Sequence, residues 1–146
     1  MMIAFRPARA EDFERLVELR LRVMREHLER VGRFDPVRAR ERFRSGFVPQ
    51  EMRLIEVDGA FAGCVTLKPD AQGFELMHFY VAPEIQNRGV GGSVLRLLCA
   101  EADALGQPIH LGVLKGSPAV RFYERHGFHA THEDAWDFYL RRAVLG

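Results

Sequence analysis

The segment Val81-Ala82-Pro83-Glu84-Ile85-Gln86-Asn87-Arg88-Gly89-Val90-Gly91-Gly92 stands at a change of pattern. Before it, Phe74 to Val81 reads as a strand. After it, Val94, Leu95, Leu97, Leu98 and Ala102 form the apolar face of a helix from Gly91 to about Leu105. Pro83 and the following glycines break the strand. Glycines at 89, 91 and 92 let the backbone come close to a ligand. Successive N–H groups at a helix N-terminus make a nest for an anion. Arg88 adds a positive side chain, and together these groups suit a pyrophosphate. A P-loop is excluded, because no lysine follows the glycines. A G-x-G-x-x-G fingerprint fails as well, because position 94 is Val94. The plainer alternative is a glycine-rich turn that only packs a helix on a strand.

Outward from this segment the elements follow in turn. Residues 2–7 read as a short strand stopped by Pro7. Ala10-Glu11-Asp12 opens a long helix to about Val31, with Phe13, Leu16, Val17, Met24, Leu28 and Val31 at helical spacing. Glu11, Asp12 and Glu14 sit in its first turn, where the helix dipole favours them. Asp35 is placed to cap a second helix with Pro36 at its first position, running to Ser45-Gly46. Strands 52–58 and 61–67 flank Asp58-Gly59 as a hairpin. Pro69 to Gly73 reads as a turn. Beyond the central helix, Ile109–Leu114 reads as a buried strand and Pro118–His126 as a short helix stopped by Gly127. Phe128–His132 and Ala135–Arg142 close the chain as strands. The order is β-α-α-β-β-β-α-β-α-β-β. It predicts an α/β (α+β) fold with a mixed, mostly antiparallel sheet of about seven strands and four helices. The strand–helix–strand unit 74–114 supplies one parallel crossover.

Composition fits one soluble domain over residues 1–146. The chain has 146 residues, 47% hydrophobic and 28% charged, enough to bury a core without staples. Its two cysteines, Cys64 and Cys99, are too few for a disulfide framework and form no C-x-x-C pair, so no metal is expected. His126, His129 and His132 match no metal spacing. No apolar run approaches the ~20 residues of a membrane span. The first residues carry no signal-peptide pattern, so a cytoplasmic location is expected. The net charge of +1 argues against a nucleic-acid partner for the whole chain. Residues 1–50 are nevertheless basic, with twelve arginines against eight acids.

A second segment, Ala119-x-x-Phe122-Tyr123-x-x-x-Gly127-Phe128, completes a resemblance. With Val81-x-Pro83 before it, Gln86-x-x-Gly89-x-Gly91 resembles motif A of the GCN5-related N-acetyltransferases (GNAT). The later segment resembles their motif B. The two motifs span residues 75–128, and the element order is similar to the family fold along nearly the whole chain. The resemblance implies acetyl-coenzyme A as co-substrate and acyl donor. It implies that the pyrophosphate lies on the amides of Gln86, Asn87, Arg88, Gly89, Val90, Gly91 and Gly92. It also implies that the pantetheine arm runs along the backbone of Phe79 and Val81, where strands 74–81 and 109–114 splay apart. Many relatives carry asparagine near the start of the motif-B helix. Here Ser117 is the positional match, able to cap the helix but shorter in reach.

The resemblance makes Tyr123 the acid for the departing thiolate. A phenol of pKa about 10 protonates a thiolate of about 8.5 at a cost of roughly 2 kcal/mol. The backbone N–H of Val81 is the implied oxyanion donor. Glu75 stands where some relatives carry a catalytic glutamate, and it shares a strand face with Met77, Phe79 and Val81 if no bulge intervenes; His78 then faces the other way. A free glutamate facing a free ammonium is mismatched by roughly 8 kcal/mol, so a water chain is the alternative base. The acceptor pocket is expected from Met24, His27, Leu28, Phe34, Phe47 and Trp136. The reaction this implies is direct acetyl transfer, through a ternary complex, to a primary amine of a small molecule. The alternatives are a protein or peptide amine, or a non-catalytic acyl-coenzyme A-binding module. A homodimer is compatible with the resemblance, though no residue here marks an interface.

Overall fold

A computed structural model describes residues 1–30, 32 and 35–145, without the side chains of residues 26–28. In chain order the elements are β1 (Ile3–Pro7), α1 (Phe13–Arg30), α2 (Pro36–Gly46), β2 (Met52–Val57), β3 (Ala60–Asp70), β4 (Gly73–Val81), α3 (Val90–Ala104), β5 (Ile109–Leu114), α4 (Ala119–Arg125), β6 (His129–Glu133) and β7 (Asp137–Arg142). The strands hydrogen-bond in the order β1-β2-β3-β4-β5-β7-β6, the mixed α/β sheet with four helices that the pattern predicts. Pairs β1·β2, β2·β3, β5·β7 and β6·β7 are antiparallel, and β4·β5 is parallel. The parallel register holds only two partner pairs, Phe74↔Ile109 and Glu75↔His110. Among the described residues no helix is long and apolar enough to cross a membrane.

Several boundaries differ from the sequence reading, each for a local reason. Ala10–Asp12 form a 3-10 turn rather than the start of α1. The Asp12 carboxylate accepts from the Arg9 amide at 2.8 Å and takes both guanidinium nitrogens of Arg6, which ties this turn to β1. Strand β3 runs on through Pro69 to Asp70. The Asp70 side chain then accepts from the Gln72 amide at 2.8 Å and tightens the turn. The α3 helix begins at Val90, one residue early. Strand β6 begins late, at His129, where the Phe128 amide still bonds back to the Tyr123 carbonyl of α4, and β7 begins late, at Asp137, because Asp134 Oδ1 gathers the amides of Trp136 and Asp137 into the turn. Val31 lies outside the described residues.

The chain divides into two compact units, Met1–Thr66 with His78–Val90, and Leu67–Met77 with Gly91–Gly146. In the first, α1 buries Phe13, Leu16, Val17 and Leu19 with Phe43 of α2 and Met52, Leu54 and Cys64 of the strands. Each such aliphatic side chain contributes about 1.5–3 kcal/mol by leaving water. The rings of Phe13, Phe43 and Phe47 meet at 5.4–5.7 Å and lock α1 to α2. Asp35 caps α2 through the Arg38 amide, with Pro36 at the first position, as its sequence predicts.

In the second unit α3 buries Val94, Leu95, Leu98 and Ala102, four of the five positions expected; Leu97 is exposed. The buried Arg142 of β7 makes two bonds of 2.9 Å to Asp103 of α3. The same carboxylate accepts from the Leu145 amide, so one acid fixes the end of the last strand. The Tyr139 ring lies over Gly112 of β5, filling the place of its missing side chain.

Gly63 of β3 is the tightest position in the first unit. A Cβ there would stand 2.1 Å from the Tyr80 carbonyl oxygen, a backbone atom. Gly63→Ala is therefore expected to destabilise by about 2–3 kcal/mol through overpacking, or roughly 5–10 °C in Tm. Gly46→Ala, whose Cβ meets nothing within 4 Å, serves as the control in the same thermal melt. Equal melting of the two variants would contradict the close approach.

Candidate functional site

Strand β4 loses its regular conformation at one residue, a break in its pleat at His78. His78 has φ +48°, a left-handed conformation costly for a residue other than glycine. The parity argument that put Glu75 on one face with Phe79 and Val81 therefore does not run through His78. Cys64 donates its thiol hydrogen to the His78 carbonyl at 3.3 Å. Beyond the break, the His78 ring meets Phe43 edge-on at 5.8 Å and lies 6.4 Å from Tyr80. The Tyr80 hydroxyl is 4.0 Å from the sulfur of Met24 on α1. Above Phe43 lies the Arg20 guanidinium, 5.7 Å from the ring centre. Burial, helped by the Arg20 charge, holds the His78 imidazole below its ordinary range. Burial raises the Tyr80 phenol and pushes the Cys64 thiol up to about 12.

The loop after β4 is held from two sides. Gln86 donates its side-chain amide to the Val81 carbonyl at 2.9 Å, and its backbone amide points back to the Pro83 carbonyl. Glu84 is ion-paired with Arg22 of α1. Asn87 and Gly89 then take φ +68° and +78°, with Arg88 between them in the ordinary negative range. Alternating backbone signs of this kind turn successive N–H groups toward one concave side. Among the described residues, the amides of Asn87, Arg88 and Gly89 meet no protein acceptor. Arg88 is exposed and has no acidic partner among them.

In the second unit, the first turn of α3 carries Gly91 and Gly92. A Cβ on Gly91 would reach Phe122 at 3.6 Å, and one on Gly92 would meet Arg96 and His126 at 3.4 and 3.5 Å. Those are ordinary contact distances, so packing alone does not demand glycine at either place. His126 Nδ1 lies 2.8 Å from the Phe122 carbonyl, which can only accept, so that nitrogen carries the hydrogen and leaves Nε2 as the one beside Gly92. The sequence reading weighed His126 only as a metal ligand and missed Arg96, although its i+4 spacing from Gly92 signals a shared helix face. Among the described residues no group of three His, Cys, Asp or Glu is placed to hold a metal ion. Tyr123 is half-buried, its ring 5.2 Å from Phe122 and 5.4 Å from Phe128. Ser117 Oγ accepts from the Ala119 amide at 3.1 Å, a turn just before α4, but the N-cap position itself is Pro118, without a side-chain cap. Glu75 is half-buried and sits opposite His110, itself bonded to Asp70 at 2.6 Å.

A family model described as an acetyltransferase (GNAT) domain matches residues 49–130. The chain belongs to this family. No curated protein matches it, but solved structures do. The PaiA N-acetyltransferase of Thermoplasma acidophilum, in complex with coenzyme A, is 21% identical with a TM-score of 0.75, covering 99% of this chain and 100% of that one. The ribosomal-protein-S18-alanine N-acetyltransferase of Escherichia coli is 16% identical with a TM-score of 0.73, covering 99% and 97%. The N-acetylglutamate synthase of Neisseria gonorrhoeae, complexed with coenzyme A and N-acetyl-glutamate, is 19% identical with a TM-score of 0.70. This chain covers 36% of that longer protein, which covers 100% of this one.

The positions named for the acceptor pocket of this GNAT chain fare unevenly. Met24 is half-buried against Tyr80, and Phe47 belongs to the phenyl cluster. Trp136 is 64% exposed at the β6–β7 turn. Phe34 lies outside the described residues, as do the side chains of His27 and Leu28.

The depressed His78 fixes a pH dependence with a definite sign. The unfolded chain takes up a proton near pH 6.5, which the folded imidazole resists, so stability rises with pH through the window below about 6.5 and is complete above it. Denaturant melts between pH 7 and 5 should lose stability on acidification, and His78→Asn should flatten that slope. An unchanged slope in His78→Asn would remove His78 as its source.

Proposed function

We propose that residues 1–146 act as one N-acetyltransferase domain that moves the acetyl group of acetyl-coenzyme A directly to the primary amine of a small molecule. The observation that carries this reading is the loop at 87–89, where exposed, uncommitted amides alternate in backbone sign next to a glycine-rich first helical turn. The pyrophosphate is bound by the backbone of residues 87–92, with Arg88 adding charge; the Gln86 amide, expected in the same cradle, is engaged by the Pro83 carbonyl. The side chain of Gln86 holds the loop to Val81 rather than touching the cofactor. The relatives bound to coenzyme A support the same donor here. Ser117 contributes at the start of α4 through a hydroxyl already engaged by Ala119.

In the transfer, the pantetheine arm runs along the backbone of Phe79 and Val81. The amine nitrogen attacks the thioester carbonyl, forming the C–N bond. The oxyanion is held by the Val81 N–H, which needs no particular side chain at 81. The tetrahedral adduct then expels the coenzyme A thiolate as the C–S bond breaks. Tyr123 donates its phenolic proton to the sulfur, and the proton lost by the amine passes to Glu75, directly or through water. Positioning both reactants in one complex supplies much of the acceleration.

Thermal unfolding with acetyl-coenzyme A tests the donor site. At about 100 times Kd the ligand adds ~2.7 kcal/mol, roughly 5–10 °C for a chain of this size. No shift at millimolar ligand would overturn the reading.

Gly91→Ala separates packing from binding. The variant should melt within about 1 kcal/mol of the parent, since alanine suits a helix better than glycine, and lose most of the acetyl-coenzyme A shift. Tyr123→Phe should keep the shift and lose roughly 100-fold or more in kcat, the scale of general acid catalysis. A Tyr123→Phe enzyme of normal rate would assign the proton to another group.

A further inference from the structure

One charge is out of place in the first unit. The inward stripe of α1 runs Phe13, Leu16, Val17, then Arg20 and Met24, at helical spacing. Phe13, Leu16 and Val17 are buried core, and the next position on the stripe carries a guanidinium. Arg20 is half-buried and lies over the Phe43 ring. Phe43 in turn meets His78, and Met24, one turn beyond Arg20, meets Tyr80.

Arg20 also lacks the acidic partner that several other arginines have. Arg6, Arg22, Arg40 and Arg142 each hold a carboxylate. Among the described residues no acid lies within ion-pair distance of Arg20. A cation partly withdrawn from water and given only an aromatic face is under-compensated, and its planar fork is built to take a carboxylate through two parallel hydrogen bonds.

Resting on the acetyltransferase reading above, we infer that Arg20, over the Phe43–His78–Tyr80–Met24 wall, anchors the carboxylate of the acceptor, so that the substrate class is small amines that carry a carboxylate, such as amino acids. His78 and Tyr80 belong to the same stretch of β4 as Phe79 and Val81, whose backbone is assigned to the donor arm. An acceptor held on Arg20 is therefore held against the strand that presents the thioester. The residues of this wall are uncharged at neutral pH, His78 because burial and the Arg20 charge keep it neutral. A single positive charge matches one carboxylate better than a doubly charged phosphate. Burial of the wall also makes the anchoring bond selective, because a neutral carboxamide leaves the guanidinium unpaired.

The test uses the full chain with acetyl-coenzyme A and a panel of free amino acids, each paired with its carboxamide. Turnover is read as thiol release, and binding as the additional thermal shift that the acid produces over coenzyme A alone. The expected result is a preference for the best acid over its carboxamide of about tenfold or more in kcat/KM. In Arg20→Gln that ratio should fall toward one, mainly through a raised KM for the acid, while the shift by acetyl-coenzyme A stays. Arg20→Lys, which keeps the charge and loses the fork, should retain part of the ratio and shows whether a loss in Arg20→Gln is one of charge or of folding. Equal use of acids and carboxamides by the parent protein would overturn the assignment, as would an undiminished ratio in Arg20→Gln. So would a parent protein that neither acetylates nor is stabilised by any acid of the panel. In all three cases a retained acetyl-coenzyme A shift leaves the acetyltransferase reading standing. Absence of that shift in the parent overturns both.

Discussion

The close approach of β3 to β4 at Gly63 is the constraint on which the site-bearing part of the chain depends. Only a residue without a side chain lets the Tyr80 carbonyl come so near. Around that contact, the Cys64 thiol holds the His78 carbonyl and the Ala82 amide bonds to the Ala62 carbonyl. His78 is thereby kept in a left-handed conformation it would not choose alone. The gain is directional. The His78 and Tyr80 rings are presented to α1 and α2, while Val81 ends where Gln86 can fasten the following loop.

Electrostatics divides into fastening and function along similar lines. The pairs Arg6–Asp12 and Arg142–Asp103 join a helical segment to a strand, and both put most of the polar capacity of the acid to use. In each, the hydrogen-bonding guanidinium holds the carboxyl below its usual range. Asp134 is a third fastener, drawn down to about 2 by Tyr139 and by the amides of Asp137 and Trp136. Arg20 and Arg88 are the contrasting kind, cations without an acid among the described residues, one on each side of the β4 end in sequence.

Most of the fold was legible because its signals are local and periodic. The 3.6-residue stripes of α1 and α3, the Asp35-Pro36 start of α2 and the Asp58-Gly59 hairpin each act within a few residues. Boundaries slipped where one side chain reorganised a turn, as Asp70 and Asp134 do. Such hydrogen bonds leave no trace in hydrophobic pattern. The glycine loop was legible for the same local reason, since glycine spacing reports backbone freedom directly. The Arg20 cluster was not. Its members come from α1, α2 and β4, and only tertiary packing brings residues 20, 43 and 78 together. His78 was assigned by strand parity, and a single left-handed residue defeats parity.

The buried thiols have a practical and a chemical consequence. Cys64 is fully buried with its thiol pushed up to about 12, and Cys99 is buried and raised too. The thiolate is the nucleophilic form of cysteine, and neither side chain reaches it near neutral pH. A chain that handles thioesters thus offers no thiolate of its own for the acyl group to settle on, and its cysteines are spared S-acylation. The same burial makes the folded protein silent to disulfide reagents that colour free coenzyme A. Slow colour development in the absence of acetyl-coenzyme A then reports opening of the fold, which turns the same reagent into a clock for local unfolding.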